Sequence, residues 1–287
     1  MQPEVIADCA CEVGENPLWH TIEEALYWCD IPKGRIFRYS PITGEHERVY
    51  EGEIVGGFTI QADGGLLFFM ARGSVKLWRG RGSELVTIVE KIEDERETRF
   101  NDVIADPAGR VYCGTMSTAQ RLGRLYRLDP SSEVTLLVEG IGCPNGLGFT
   151  PDRKHMYFTD SFTRAIYLFD YDQQHGDITN QRVFVQVPKE EGLPDGLTVD
   201  SLGYVWSAQW DGGEIIRYTP EGKVERRITV PAKKVTSLSF GGKDFTEIYI
   251  TSAGGENKAV EGATAGALFK LCTGIRGTPE FFSKVGL

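Results

Sequence analysis

One pattern returns six times along this chain: a turn, a run of aromatic and β-branched residues, a short loop, and a second such run. The first runs are LYWCD (26–30), LLFFMA (66–71), VYCGTM (111–116), MYFTDS (156–161), VWSAQW (205–210) and IYITSA (248–253). Taking Tyr27, Leu67, Tyr112, Tyr157, Trp206 and Tyr249 as equivalent, the steps are 40, 45, 45, 49 and 43 residues. Turn signals such as ADGG, DPAGR and TPDRK separate the copies, and no segment sustains a helical period. A repeat of this length built from short strands is one blade of a propeller. The expected fold is therefore all-β: a six-bladed β-propeller of four-stranded antiparallel blades, one domain over residues 1–287, around a central channel. A β-sandwich or two small barrels would supply short strands and turns, but not a fixed period this long.

A ring of sheets has to close, because an open edge strand invites aggregation. Residues 3–8 (PEVIAD) precede the first full repeat and read as a strand. They are expected to pair with the C-terminal blade, near residues 279–285.

The innermost strands are expected at 16–20, 57–62, 102–106, 146–150, 196–200 and 237–241. At their leading ends, equivalent positions meet at one mouth of the channel. The six copies offer Glu15, Gly57, Asn101, Asn145, Asp195 and either Thr236 or Ser237 there. Read singly, Asn-Gly and Asp-Gly are turn dipeptides, and Glu15 is a loop cap. Read together, Glu15, Asn101, Asn145 and Asp195 keep one phase, 11 or 12 residues before Tyr27, Tyr112, Tyr157 and Trp206. Carboxylate and amide oxygens converging on an axis suit a hard divalent cation, so the channel is expected to bind metal. Glu15, Asn145 and Asp195 would supply three oxygens and leave positions open for water and substrate, as catalytic sites do. Such ligands suit Ca, Mg and Mn, with Zn and Fe(II) also able to bind.

Charge and composition narrow the partners. The net charge of −10 and the absence of a basic patch argue against nucleic acid and anionic membranes. No apolar run reaches the length of a membrane span. The opening MQPEVIADCACE has neither the basic nor the apolar region of a secretory signal. The six cysteines form no CxxC and fall mostly in strand-like segments, which reads as buried reduced thiols. A disulfide from Cys9 or Cys11 to a neighbouring strand is the alternative. Together these features lead to the expectation of a cytoplasmic protein, with a monomer as the default.

The segments GENPLW, RFNDVIADPAGRVYCGTM, PNGLGFT, LPDGLTVD and SFGGKDFTEIYIT, in this order and over nearly the whole chain, resemble the gluconolactonase, regucalcin and senescence-marker family. The resemblance implies a six-bladed propeller with one divalent metal in its channel. It also implies a hydrolase acting on carboxylic ester bonds, opening a sugar lactone to the free sugar acid. In that chemistry the metal polarises the lactone carbonyl and an activated water attacks it. By resemblance, Glu15, Asn145 and Asp195 match the metal ligands, and Asp195 also matches the proposed general base. Arg99 and Asn101 match residues that contact the sugar. One departure concerns the substrate: some members carry a Glu shortly after GTM, where this chain has Ser117, Thr118, Ala119 and Gln120.

Without the resemblance, Arg99 reads equally well as one end of a surface ion pair with the acidic run EDERET (93–98). Trp19, Phe100, Phe162 and Trp210 are candidate sugar-stacking residues at the mouth. Loops 31–35, 117–123 and 254–265 are candidates for its rim or lid. Three other functions use the same scaffold: a non-catalytic calcium binder of regucalcin type, a paraoxonase-like arylesterase, and a propeller that docks protein partners. The arylesterase needs histidines at the mouth, whereas His46, His155 and His175 fall in turns or outer loops and His20 ends a strand away from it.

Overall fold

The computed structural model, which describes residues 2–287, contains six four-stranded antiparallel sheets. Blade I runs outward from the channel as Gly14–His20, Ala25–Asp30, Arg35–Ser40 and Glu45–Glu51. Blades II to V repeat this order from inner strands Val55–Ile60, Phe100–Ala105, Pro144–Phe149 and Leu193–Val199. Blade VI is made of Val235–Gly241, Glu247–Ser252 and Ala267–Cys272, with Glu4–Asp8 from the N-terminus as its outermost strand. Each inner strand packs against the next, and that of blade VI returns to that of blade I. All six aromatic or leucine markers of the repeat lie in second strands.

The repeat is apolar for a physical reason. A second strand is covered on both faces, so both sets of its alternating side chains are buried. Six hydrophobic clusters result, one at each seam between neighbouring blades. At the seam of blades I and II, Tyr27 and Ile36 meet Phe58 and Phe68; at that of V and VI, Trp206 meets Phe240 edge-on, ring centroids 6.0 Å apart. Outer strands such as Glu45–Glu51, EHERVYE, are largely exposed and carry the charge.

The N-terminal strand joins the C-terminal blade as expected, but not at 279–285. It pairs with Ala267–Cys272, with Val5 opposite Phe269 and Asp8 opposite Ala267. Residues 276–286 do something different: they run beneath the blades as a strap. Ser201 N–H donates to Arg276 O, Ser283 N–H to Ile60 O, Lys284 N–H to Gly109 O and Gly286 N–H to Pro130 O. Phe281 packs against Phe149. This strap closes the end of the channel opposite Glu15. Pro279 and the paired Phe281 and Phe282 suit a segment that crosses strand ends rather than one that extends a ladder.

Removing residues 1–8 would leave Ala267–Cys272 as an open edge and take Ala7 out of the seam formed with Trp28 and Leu268. It would also delete the Lys258 to Asp8 ion pair. The truncated chain is expected to melt lower by on the order of 5 °C. An unchanged melt by differential scanning calorimetry would contradict this closure.

Candidate active site at the channel mouth

The inner strands begin two or three residues earlier than the sequence suggests. The oxygen-bearing residues therefore lie inside the strands, not before them. The reason is a shared irregularity. All six inner strands break register at this level: Glu15/Leu18, Val55/Gly57, Phe100/Val103, Asn145/Leu147, Pro194/Leu197 and Val235/Leu238. A β-bulge re-aims the side chains beside it. Repeated six times around a ring, it turns one set of side chains into the mouth.

The Asn-Gly and Asp-Gly pairs are accordingly not turns. Gly146 and Gly196 have ordinary backbone angles, and they are glycine because the next blade comes too close. A Cβ on Gly146 would sit 2.4 Å from Leu197 N, and one on Gly196 would sit 2.2 Å from Ser237 Oγ. Gly146→Ala should push blade V away from blade IV and move Asn145 relative to Asp195. The expected cost is about 1–3 kcal/mol of stability, with at least a tenfold loss of kcat/KM; a variant with wild-type melting and kinetics would refute this reading.

Glu15, Arg99, Asn101, Asn145 and Asp195 all line one cavity of about 300 Å³. Met116, Cys143, Phe162, Leu193 and Trp210 add an apolar and sulfur-bearing wall. Blade II contributes no oxygen, and Gly56 and Gly57 there press against the backbone of Phe100 and Asn101. Blade VI contributes none either: Thr236 Oγ1 bonds to Gly14 O (2.5 Å) and Thr251 Oγ1 (2.9 Å), while Ser237 faces the deeper channel. Of the aromatic candidates, Phe162 and Trp210 reach the cavity. Phe100 is buried edge-on against Phe69, and Trp19 stacks on Tyr249 away from the mouth.

The three candidate loops stand outside the cavity lining. Loop 117–123 is pinned instead to the acidic run, through Arg121 to Glu95 and to Asp94 O. Arg121 and Arg124, rather than Arg99, pair with that run. No histidine lines the cavity, and His20 hydrogen-bonds with Gly64 O at the other end of its strand.

The hydrogen bonds have a direction. Arg99 Nη1 donates to Asn101 Oδ1 (2.7 Å). Asn101 Nδ2 donates to Pro144 O (2.8 Å) and Asn145 Oδ1 (2.5 Å). Asn145 Nδ2 donates to Ser161 Oγ (2.7 Å), and Ser161 Oγ donates to Pro194 O (2.6 Å). Asn16, in left-handed conformation (φ 51°) at the first bulge, gives its N–H to Glu15 Oε2 (3.2 Å). Its side-chain Oδ1 accepts from Phe58 N–H (2.6 Å), tying blade I to blade II.

The electrostatics at the mouth are unfavourable without a cation. Burial pushes the proton affinity of Glu15 well up, and the charges of Asp195 and Asp102 push it further. Asp195 is raised in the same way, by burial and then by Asp102. Asp102 is pushed up to about 7 by burial, with Arg99 opposing. Asp195 Oδ1 is buried with no hydrogen-bond partner among the described residues. An orphaned carboxylate oxygen costs several kcal/mol in principle. A divalent cation held by Glu15, Asn145 and Asp195 would satisfy it and offset the crowding of negative charge, so the donor set fits an oxygen-liganded metal. Ser161, which also lines the cavity, and Asp102, which lies in the deeper channel just below it, are not among the residues the sequence singles out. Asp102 was visible only as the neighbour of Asn101, and Ser161 only as the end of a second-strand run.

Residues 13–254 match the model of the SMP-30/gluconolactonase/LRE-like region. The chain is 47% identical to pentonolactonase XacC of Haloferax volcanii, covering 98% of each chain. It is 34% identical to regucalcin of Bos taurus, covering 94% of each. Among solved structures, a luciferin-regenerating enzyme superposes with a TM-score of 0.89 at 27% identity, over 99% of this chain and 100% of that one.

Proposed function

The chain belongs to the SMP-30/gluconolactonase/LRE-like family, and on that premise we propose that it hydrolyses a sugar lactone to the free sugar acid with the help of one divalent metal. The observation that carries this reading is the convergence of Glu15, Asn145 and Asp195 on one cavity, with an oxygen of Asp195 left unpaired. The 47% identity to a pentonolactonase makes five-carbon aldonolactones the first substrates to test.

Glu15, Asn145 and Asp195 are the proposed ligands. The chemistry a bound cation supplies there is positive charge facing the lactone carbonyl oxygen. Asp195 acts first as a ligand and second as the general base, taking a proton from the attacking water at the carboxylate oxygen that does not hold the cation. The water oxygen bonds to the carbonyl carbon, the ring C–O bond breaks, and the leaving ring oxygen takes back from Asp195 the proton that the water gave up, leaving the free acid and Asp195 ionised again. Arg99 holds the carbonyl or a ring hydroxyl, Asn101 Oδ1 accepts from a ring hydroxyl, and the Arg99 guanidinium also matches the product carboxylate. Phe162 and Trp210 offer flat apolar faces to the C–H side of the sugar, and with Met116 they limit water at the site.

A pH-indicator assay tests this reading. After chelation, xylonolactone, arabinonolactone, galactonolactone and gluconolactone are each offered with a panel of divalent metals. Metal-dependent hydrolysis of at least one is expected. Tight metal binding with no lactone hydrolysed would instead favour a cation-binding protein like the regucalcins it resembles. Hydrolysis that survives complete metal removal would overturn the proposed chemistry.

A further inference from the structure

We infer that Ser161, buried between blades IV and V, is the positioning residue that fixes which atom of the Asn145 amide faces the metal site. The inference rests on the proposed metal site but goes beyond it, since Ser161 itself is not among the ligands.

Counting protons along the hydrogen-bond chain sets the orientation of each amide. At one end of the hydrogen-bond chain, Arg99 can only donate, so the Asn101 atom facing it at 2.7 Å has to be the oxygen. Asn101 then has both amide hydrogens placed, one on Pro144 O and one on Asn145. The Asn145 atom that receives the second is therefore also an oxygen. At the other end, Pro194 O can only accept, so the single hydroxyl proton of Ser161 is committed to it at 2.6 Å. Ser161 Oγ is left only with lone pairs for Asn145, at 2.7 Å, so the Asn145 atom facing it is the nitrogen. The second hydrogen on that nitrogen points at Cys143 Sγ, 3.6 Å away, which is a weak acceptor.

Both ends thus specify the same orientation. Asn145 Nδ2 is turned to Ser161 and Oδ1 to Asn101, which leaves Oδ1 as the amide atom open to a cation, where an NH₂ would repel it. Once a cation draws on Oδ1, the Asn101 bond to that atom weakens, and Ser161 becomes the main restraint on the amide. Ser161 also ties Asn145 in blade IV to the carbonyl immediately before Asp195 in blade V, so it links the positions of two ligands. Partners of this kind typically change metal affinity 10- to 100-fold when removed. Ser161 is only 4% exposed, and no other polar side chain donates to or accepts from its hydroxyl among the described residues.

The test is a metal-binding cycle by isothermal titration with manganese(II) on the folded, chelated protein. Ser161→Ala should weaken binding at least tenfold, whereas kcat at saturating metal should stay within about threefold. Ser161→Thr, which keeps the hydroxyl, should recover most of the affinity. Asn145→Asp supplies oxygen on both sides and no longer needs orienting, so adding Ser161→Ala to it should cost little more. Metal-free melting of each variant separates a folding defect from a binding one. Unchanged affinity in Ser161→Ala, or an equal loss in the Asn145→Asp background, would overturn the role of Ser161 while leaving the metal site intact. Wild-type protein that binds no divalent ion would instead overturn the metal reading itself, and this inference with it.

Discussion

Asp195→Asn is expected to lower kcat/KM by at least about a thousandfold while the protein stays folded. General-base loss alone typically costs 10²–10⁴-fold, and loss of a charged ligand adds to it. The substitution is nearly isosteric, and Asp195 is 4% exposed, with its charge disfavoured by burial and by Asp102. Removing that charge should therefore leave the metal-free melting temperature unchanged or higher. The rate and the bound metal have to be measured together. Full metal occupancy with no turnover assigns Asp195 chiefly to proton transfer, and lost metal assigns it chiefly to binding. Near-wild-type hydrolysis by Asp195→Asn would remove it from the mechanism.

The second large effect is expected from Glu15→Gln, which should weaken divalent-metal binding by at least about 100-fold. Two carboxylates balance one divalent charge, and this variant leaves only one of them among the proposed ligands. It should also reveal a pH dependence. Glu15 and Asp195 have proton affinities raised above the ordinary values of 4.5 and 3.8. A raised carboxylate binds its proton more tightly when folded than when unfolded. Its stabilising effect is complete below the ordinary value and is lost as pH rises through the folded one. Asp102, at about 7, adds to the same slope. Chelated wild-type protein should thus melt lower at pH 8 than at pH 5. Glu15→Gln should flatten that slope, and saturating metal should flatten it in wild type. At metal concentrations of 100 times Kd, binding adds about 2.7 kcal/mol. A chelated wild-type melt that rises from pH 5 to pH 8 would contradict the crowding of unpaired carboxylates at the mouth.

Much of the fold was legible because it repeats. Six copies with one phase specified six blades, and the markers Tyr27 to Tyr249 all fell in second strands, where burial on both faces demands apolar side chains. The convergence of Glu15, Asn101, Asn145 and Asp195 on one cavity was legible for the same reason. Closure carries equal positions to equal depth.

What the repeat did not encode was harder to read. The bulges are backbone events, and Asn145-Gly146 and Asp195-Gly196 look the same in sequence whether they make a turn or a close approach between blades. The strap 276–286 occurs once and has no period, so nothing separated it from a closing strand. Arg99 sits next to five charged residues in EDERET, yet its guanidinium turns inward to Asn101, because Arg121 from the loop 117–123 and Arg124 from the strand that follows it reach Glu95 and Asp94. Ser161 needed three dimensions outright. Its two partners are 16 and 33 residues away and lie in different blades.

The most direct measurement is an anomalous difference map from a crystal of this chain soaked in manganese(II). One strong peak is expected at the channel mouth, within roughly 2.0–2.6 Å of oxygens from Glu15, Asn145 and Asp195. A fully soaked crystal with no peak there, or with its ion bound elsewhere and both carboxylates free, would contradict the proposed metal site.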